Sequence, residues 1–574
     1  MVMNIRLNFS LQPLAFSLSC LLAVLLVLHS TPALSQSAVG RHGAVATVDR
    51  IASQAGIDAM KKGGNAVDAA VAAALTLGVV NSYNSGIGGG CFILIRSAEG
   101  ELACIDGREM APAAATRDMY VRNGTVVPGL SETGALASGT PGELAACEMA
   151  LKSWGKLSLK DHLLAAAQIA EDGFRISAQY ESALRGEATE LARFPSSRAI
   201  FLMPDGTPRK AGDLLKQPDL ARTYRAIAEN GTGWFYRGPF AQATEKWMQA
   251  NQGLLTAADF QGYHAVLREP ISTTYRGYTV VSFPPPSSGG VHVLEILNML
   301  ETRDFSPPPY TAADRDQFIA EAMKLAFADR AYWLGDPDFA SVPRGLISKD
   351  YARALAAKID LTRASAVAGP GEPPDAAGDV FGKHTQHIST ADAEGNWVAM
   401  TATINTHFGS KVVIPGTGVL MNNQMDDFSA QPGQANHFGL VGAKANAIAP
   451  DKRPLSSMSP ALVLKDNRPI LSLGAAGGPT IISQTLLNIV GVVDLGMDAQ
   501  TAINQPKFHH QWKPDELKVE EKMDPAVAAE LVKRGQNLIK VRFLGAAQAV
   551  GLAPGGQGFL GAADPRVHGT ALAW

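Results

Sequence analysis

The spacing of apolar residues changes character several times along the chain, and each change marks a different predicted element. Residues 14–28 form a near-continuous apolar run, preceded by the single charge of Arg6 and followed by Ala33-Leu34-Ser35. That run is short for a bilayer span, and small residues fall at −3 and −1 of a cut before Gln36. Residues 1–35 are therefore expected to be a secretory signal peptide, removed from the mature protein. Residues 51–62 carry apolar positions at helical spacing and close on Gly63-Gly64, a helix-stop signal. Asn65 then caps a second predicted helix, residues 66–80, so rich in Ala, Val and Leu that it must be buried on most sides. The run Gly86-Ile87-Gly88-Gly89-Gly90 leads into a strand pattern over residues 91–95. No Gly-Lys-Ser/Thr follows it, and a strand rather than a helix comes next, so close backbone packing explains these glycines better than a phosphate loop.

Residues 157–356 are dominated by helical periodicity, broken by turns such as Pro284-Pro285-Pro286-Ser287-Ser288-Gly289-Gly290. Over residues 364–382 the composition shifts to Ala, Gly, Pro and Asp without periodicity, which reads as a linker. Residues 385–390 and 397–405 then alternate in strand fashion around a turn at residues 393–396. Folded about that turn, residue 403 comes to lie opposite residue 385, within one residue of register. The last third mixes strands (461–464, 470–473) with helices (480–495, 525–533), and no internal repeat is present.

Composition narrows the class. With 574 residues, 46% hydrophobic and 18% charged, the chain is globular and too long for one ordinary core. A formal charge of −3, with no basic run, gives nucleic acid no electrostatic footing. No later apolar run reaches bilayer-spanning length, so no membrane association is expected once the leader is gone. Only Cys91, Cys104 and Cys147 follow the leader, too few for a disulfide framework.

A threonine hydroxyl is a weak nucleophile unless a base takes its proton. At a free N-terminus the residue's own α-amine does that work, titrating near ~7.7–8.0. Thr385 follows the linker and starts a predicted strand, so a backbone cut before it would create such a group. On the residues alone the pattern is weak, since a Thr at the start of a strand is usually only a β-former. Asp426-Asp427 reads as an acid/base pair, a metal site or one binding carboxylate; adjacent carboxylates of an extended segment face opposite ways, which favours the last. The rings of His509-His510 splay apart at that spacing, and neither a metal nor another cofactor is expected. No Gly-x-Ser-x-Gly turn is present for a Ser-His-Asp hydrolase.

Several motifs together resemble γ-glutamyltranspeptidases. They are Asp106-Gly107-Arg108-Glu109-Met110-Ala111-Pro112, Ser138-Gly139-Thr140-Pro141-Gly142, the Pro-Pro-Pro-Ser-Ser-Gly-Gly run and Gly335-Asp336-Pro337-Asp338-Phe339. After the linker come Thr385-Gln386-His387, residues 422–428 (Asn-Asn-Gln-Met-Asp-Asp-Phe), residues 452–460, Gly474-Ala475-Ala476-Gly477-Gly478 and Phe508-His509-His510-Gln511-Trp512. The resemblance implies an α+β fold, the four-layer αββα sandwich of N-terminal nucleophile hydrolases. It implies self-cleavage between His384 and Thr385 into a large subunit, residues 36–384, and a small one, residues 385–574. Thr385 would attack a γ-glutamyl amide, forming an ester that water or an amino acid releases. By the same resemblance Thr403 contacts the nucleophile, and Gly477 and Gly478 form the oxyanion hole. Arg108 binds the substrate's α-carboxylate, Gln424 and Asp427 hold its α-ammonium, and Asn405, Ser456 and Ser457 add polar contacts. Pro479 has no N–H, so oxyanion donors must lie at or before Gly478. Phe438, in the loop 431–442, stands where many bacterial relatives have a tyrosine, and a phenyl ring cannot hydrogen-bond to Asn405. The expected compartment is the periplasm or the cell exterior, and the expected substrates are glutathione and other γ-glutamyl compounds with amino acid or peptide acceptors. A cephalosporin or glutaryl acylase on the same scaffold is the nearest rival; an unprocessed binding protein is a more distant one.

Overall fold

A computed structural model of the chain describes residues 37–306, 308–374 and 388–574. The expected leader and the expected cleavage site, His384 and Thr385, lie outside these residues. The architecture is α+β in four layers. One seven-stranded sheet runs, in spatial order, Ser37–Gly40, Phe559–Ala563, Ala546–Leu552, Arg468–Ala476, Ala461–Lys465, Tyr278–Ser282 and Ile271–Tyr275. The second runs Thr570–Ala573, Gly43–Thr47, Ser389–Asp392, Trp397–Thr403, Gly90–Arg96, Leu102–Gly107 and Val266–Arg268. Neighbouring strands are antiparallel throughout both sheets.

The sheets pack face to face. Ser472 Oγ on the first donates to the Val398 carbonyl on the second at 2.8 Å, and the Trp397 and Phe559 rings meet edge-on with centroids 5.6 Å apart. Helices Arg50–Lys61 and Ala66–Val80 cover the outer face of the second sheet; Ser288–Glu301 and Thr480–Val493 cover that of the first. The strand Gly90–Arg96 shows why its residues are apolar on both sides. Phe92 and Leu94 join the core shared with the first sheet, while Cys91, Ile93 and Ile95 face the helices. Every residue of helix Ala66–Val80 is buried, and Asn65 starts it with a full capping box through Asp68.

Three strands between Val266 and Ser282 sit inside the stretch read as helical. Three more form the C-terminal end: Ala546–Leu552, Phe559–Ala563 and Thr570–Ala573. The last group is built mainly from Ala and Gly, which carry no strand preference; burial between layers, not propensity, makes them strands. They also interlock the chain ends. Ser37–Gly40 pairs with Phe559–Ala563, and Thr570–Ala573 pairs with Gly43–Thr47. Sequence from before and after residue 385 thus contributes strands to both sheets, so cutting the backbone there would leave the sandwich joined.

The glycine run after helix Ala66–Val80 is a close-packing device, as the sequence predicts. A Cβ on Gly88 would stand 2.0 Å from the Leu420 carbonyl oxygen, and one on Gly89 would stand 2.0 Å from that of Thr403. Gly89→Ala should therefore push the Thr403 backbone aside and destabilise the fold by about 1–3 kcal/mol. A denaturant midpoint equal to that of the parent protein would show that this contact yields freely.

Candidate active site

Nine residues singled out from the sequence line one cavity of about 600 Å³: Arg108, Thr403, Asn405, Gln424, Asp427, Ser456, Ser457, Gly477 and Gly478. They arrive from five separated stretches of chain. Arg108 follows the strand Leu102–Gly107 and is fully buried. Its Nε donates to the Pro454 carbonyl at 3.1 Å, and its Nη2 donates to the Leu455 carbonyl at 3.3 Å and to Asp427 Oδ2 at 2.5 Å. Its own carbonyl accepts from Arg453 Nη1 at 2.7 Å and from the Tyr263 hydroxyl at 2.8 Å, so backbone and side chain are both fixed. Asp427 Oδ2 also accepts from Gln424 Nε2 at 3.1 Å. The cavity wall thus presents a cation and an anion side by side, each partnered by the other.

Asp426 and Asp427 lie on a 3-10 turn, Gln424–Asp427, rather than on the extended segment expected. The two carboxylates still diverge. Asp426 accepts from the Ser131 hydroxyl at 2.7 Å and from the His437 N–H at 3.0 Å, tying down the loop 431–442, and burial raises its pKa to about 6. Glu109, next to Arg108 and given no role from the sequence, is fully buried with Oε2 3.5 Å from Arg108 Nη1. Burial raises its pKa to about 8 despite the pull of that guanidinium.

Thr403 ends the strand Trp397–Thr403, and its Oγ1 accepts from the Asn405 N–H at 2.8 Å. Asn405 has a positive φ of 80°, and its Nδ2 donates to the Asn423 carbonyl at 3.0 Å. That bond occupies one of the side-chain donors Phe438 cannot engage. The ladder on the other side of Thr403 is in register as Ser389↔Ala399, Thr390↔Val398 and Ala391↔Trp397, and the Met400 N–H continues it to the Ile388 carbonyl. Gly477 (φ 134°) and Gly478 (φ 58°) join the strand Arg468–Ala476 to helix Thr480–Val493, at the electropositive end of that helix. Phe438 closes against them: a Cβ on Gly478 would lie 2.6 Å from its ring. The phenyl ring therefore walls the cavity through contact alone.

Ser456 and Ser457 are held by the Pro-Pro-Pro-Ser-Ser-Gly-Gly run. The Ser456 N–H donates to the Pro286 carbonyl at 2.8 Å, and both the N–H and the hydroxyl of Ser288 donate to the Ser456 carbonyl at 2.7 Å. Arg330, on helix Ala312–Trp333, donates to the hydroxyls of Ser288 and Ser457 and was not singled out from the sequence. The two adjacent histidines part as expected: His509 contacts Ser483 and Gln511, while His510 contacts Asp515.

A sequence model described as Gamma-glutamyltranspeptidase matches residues 52–574. The chain is 45% identical over 531 residues to the glutathione hydrolase proenzyme of Escherichia coli (strain K12), covering 92% of this chain and 90% of that one. It is 37% identical over 549 residues to the Acylase ACY 1 proenzyme of Pseudomonas sp. (strain SE83), covering 93% and 94%. Among solved structures, cephalosporin acylase from Bacillus halodurans superposes with a TM-score of 0.82 at 29% identity, covering 95% of this chain and 98% of that one.

The buried Glu109 generates a pH signature. Its pKa rises from an ordinary value near 4.5 to about 8, so the folded state resists its ionisation while the unfolded chain does not. Its contribution to stability is present below pH 4.5 and is lost as pH rises to 8. Glu109→Gln removes this dependence, so the variant should gain on the parent protein by up to about 1.4 kcal/mol per pH unit across that window. Parallel stability–pH curves for the two proteins would contradict the assignment.

Proposed function

The chain belongs to the γ-glutamyltranspeptidase family, and from that premise we propose that it cleaves γ-glutamyl amides through Thr385 after cutting its own backbone between His384 and Thr385. The enzyme is a γ-glutamyltransferase and glutathione hydrolase, made as one precursor. The observation that supports this reading best is the convergence of its charged and polar residues on a single cavity beside the ladder that leads back toward residue 385. The described pairing ends at Ile388, and in this reading the hairpin continues from there to a nucleophile facing Thr403.

In this mechanism the freed α-amine of Thr385 takes the proton from its own hydroxyl as Oγ1 attacks the γ-amide carbon. Negative charge develops on the carbonyl oxygen, and the Gly477 and Gly478 N–H groups, at the head of helix Thr480–Val493, stabilise it. The amine then gives its proton to the leaving nitrogen. A γ-glutamyl ester remains on Thr385, and water or an acceptor amine attacks it with the proton movements reversed. The Thr403 hydroxyl orients the nucleophile.

The substrate's α-carboxylate and α-ammonium take over the partners that Arg108 and Asp427 now give each other. A zwitterion satisfies both buried-side charges, whereas a glutaryl group, which lacks the ammonium, leaves Asp427 competing for Arg108. This favours γ-glutamyl substrates over the acylase reading, whose support is the likeness to named acylases. Residues 1–35 act as an export signal, which places the heterodimer of residues 36–384 and 385–574 in the periplasm or outside the cell.

Thr385→Ala should leave a single uncut chain on a denaturing gel and abolish turnover, while Arg108→Ala should mature normally and raise KM for a γ-glutamyl anilide. The unsubstituted enzyme should prefer γ-glutamyl anilide to glutaryl anilide; the opposite preference would establish the acylase instead.

A further inference from the structure

Arg330 sits in the last turn of helix Ala312–Trp333 and is only 6% exposed. Its Nε donates to Ser288 Oγ at 2.9 Å and its Nη2 donates to Ser457 Oγ at 3.1 Å. Among the described residues no carboxylate lies within ion-pair distance of it. Burial lowers its pKa to about 10, which leaves it charged at neutral pH, and the acidic group that acts against this lowering is Asp427. A buried cation resting on two neutral hydroxyls is a costly arrangement unless its field serves something nearby. What lies nearby is the cavity, because Ser457 and Asp427 both line it.

The hydrogen-bond inventory sets the direction of the two hydroxyls. Ser288 gives its proton to the Ser456 carbonyl at 2.7 Å and receives Arg330 Nε on a lone pair. Ser457 receives Arg330 Nη2 on a lone pair, so its own O–H must point away from the guanidinium. We propose that Arg330 is a positioning residue for carboxylate recognition: it turns the Ser457 hydroxyl toward the cavity as a donor and adds a second positive charge behind Arg108. The ligand feature it recognises, through Ser457, is the carboxylate at the end of the acyl group remote from the scissile amide. This rests on the proposed substrate orientation, in which Ser456 and Ser457 meet the charged end of the acyl group. It explains why the site holds two guanidinium groups near one carboxylate, Asp427: one cation offsets Asp427 and the other remains for the incoming anion.

The test separates this role from a merely structural tie by using three anilides. The γ-glutamyl anilide carries carboxylate and ammonium, the glutaryl anilide only the carboxylate, and the 4-aminobutyryl anilide only the ammonium. Arg330→Met should lower kcat/KM on the first two by on the order of tenfold, chiefly through KM, since a charge-assisted contact is lost. The 4-aminobutyryl anilide should change by less than about twofold, because it never engages that contact. Arg330→Lys should restore part of the loss. Equal losses on all three substrates, or none, would overturn the proposal. Should Arg330→Met fail to fold, Ser457→Ala in the Arg330→Lys background decides: the two substitutions should not add if Arg330 acts through Ser457, and additive losses would contradict it. An unsubstituted enzyme that prefers glutaryl to γ-glutamyl anilide would sink the γ-glutamyl reading, yet the Arg330 test would still stand on the glutaryl substrate.

Discussion

Antiparallel ladders set position in whole-residue steps, and a slip of one residue turns every side chain to the other face. The pairing of Ser389–Asp392 with Trp397–Thr403, at the middle of the second sheet, is the contact on which the site depends. It is locked from three sides. Gly43–Thr47 pairs along one edge, Gly90–Arg96 along the other, and Ser472 reaches across from the facing sheet to Val398 and Ser389. With the register held this firmly, Thr403 stands at the cavity edge in one fixed alignment with its neighbours. A nucleophile that must meet a hydroxyl partner and an oxyanion hole needs that kind of fixed address.

Charge balance is the second constraint. Arg108 and Asp427 are close, buried or half-buried, and of opposite sign, and Glu109 behind them favours its neutral form because burial outweighs the attraction of Arg108. Keeping Glu109 uncharged leaves Arg108 to answer Asp427. Arg330 adds a further cation that touches only hydroxyls within the described residues. Breaking one member of such a group strands another in low dielectric, which is why these side chains act together rather than singly. The chain is similar to both glutathione hydrolases and acylases, so one scaffold is common to both.

Much of this was legible in the sequence where local chemistry and tertiary context agree. Asn65 capping an all-apolar helix, Gly88 and Gly89 marking backbone contact, and the hairpin about residues 393–396 are of this kind. The strands Ala546–Leu552 and Thr570–Ala573 were not legible, because small residues fit a narrow space between layers without announcing a strand. Arg330 was hidden for a related reason. Its helix carries buried charges at Asp316, Glu321, Lys324, Asp329 and Arg330, so no apolar stripe separates a core face from a wet one. A helix charged on every face was the available signal that some of those charges serve a site. Glu109 sat beside Arg108 in a recognised motif, but only its depth reveals its protonation.

The central claim is that one residue supplies both the hydroxyl that attacks and the amine that activates it. The direct measurement is tandem mass spectrometry of the smaller chain after acid quench during turnover of a γ-glutamyl anilide. The account predicts a fragment whose first residue is Thr385, carrying one γ-glutamyl group on its side-chain oxygen. An active enzyme in which Thr385 is still joined to His384, or in which the acyl group resides on another residue, would contradict it.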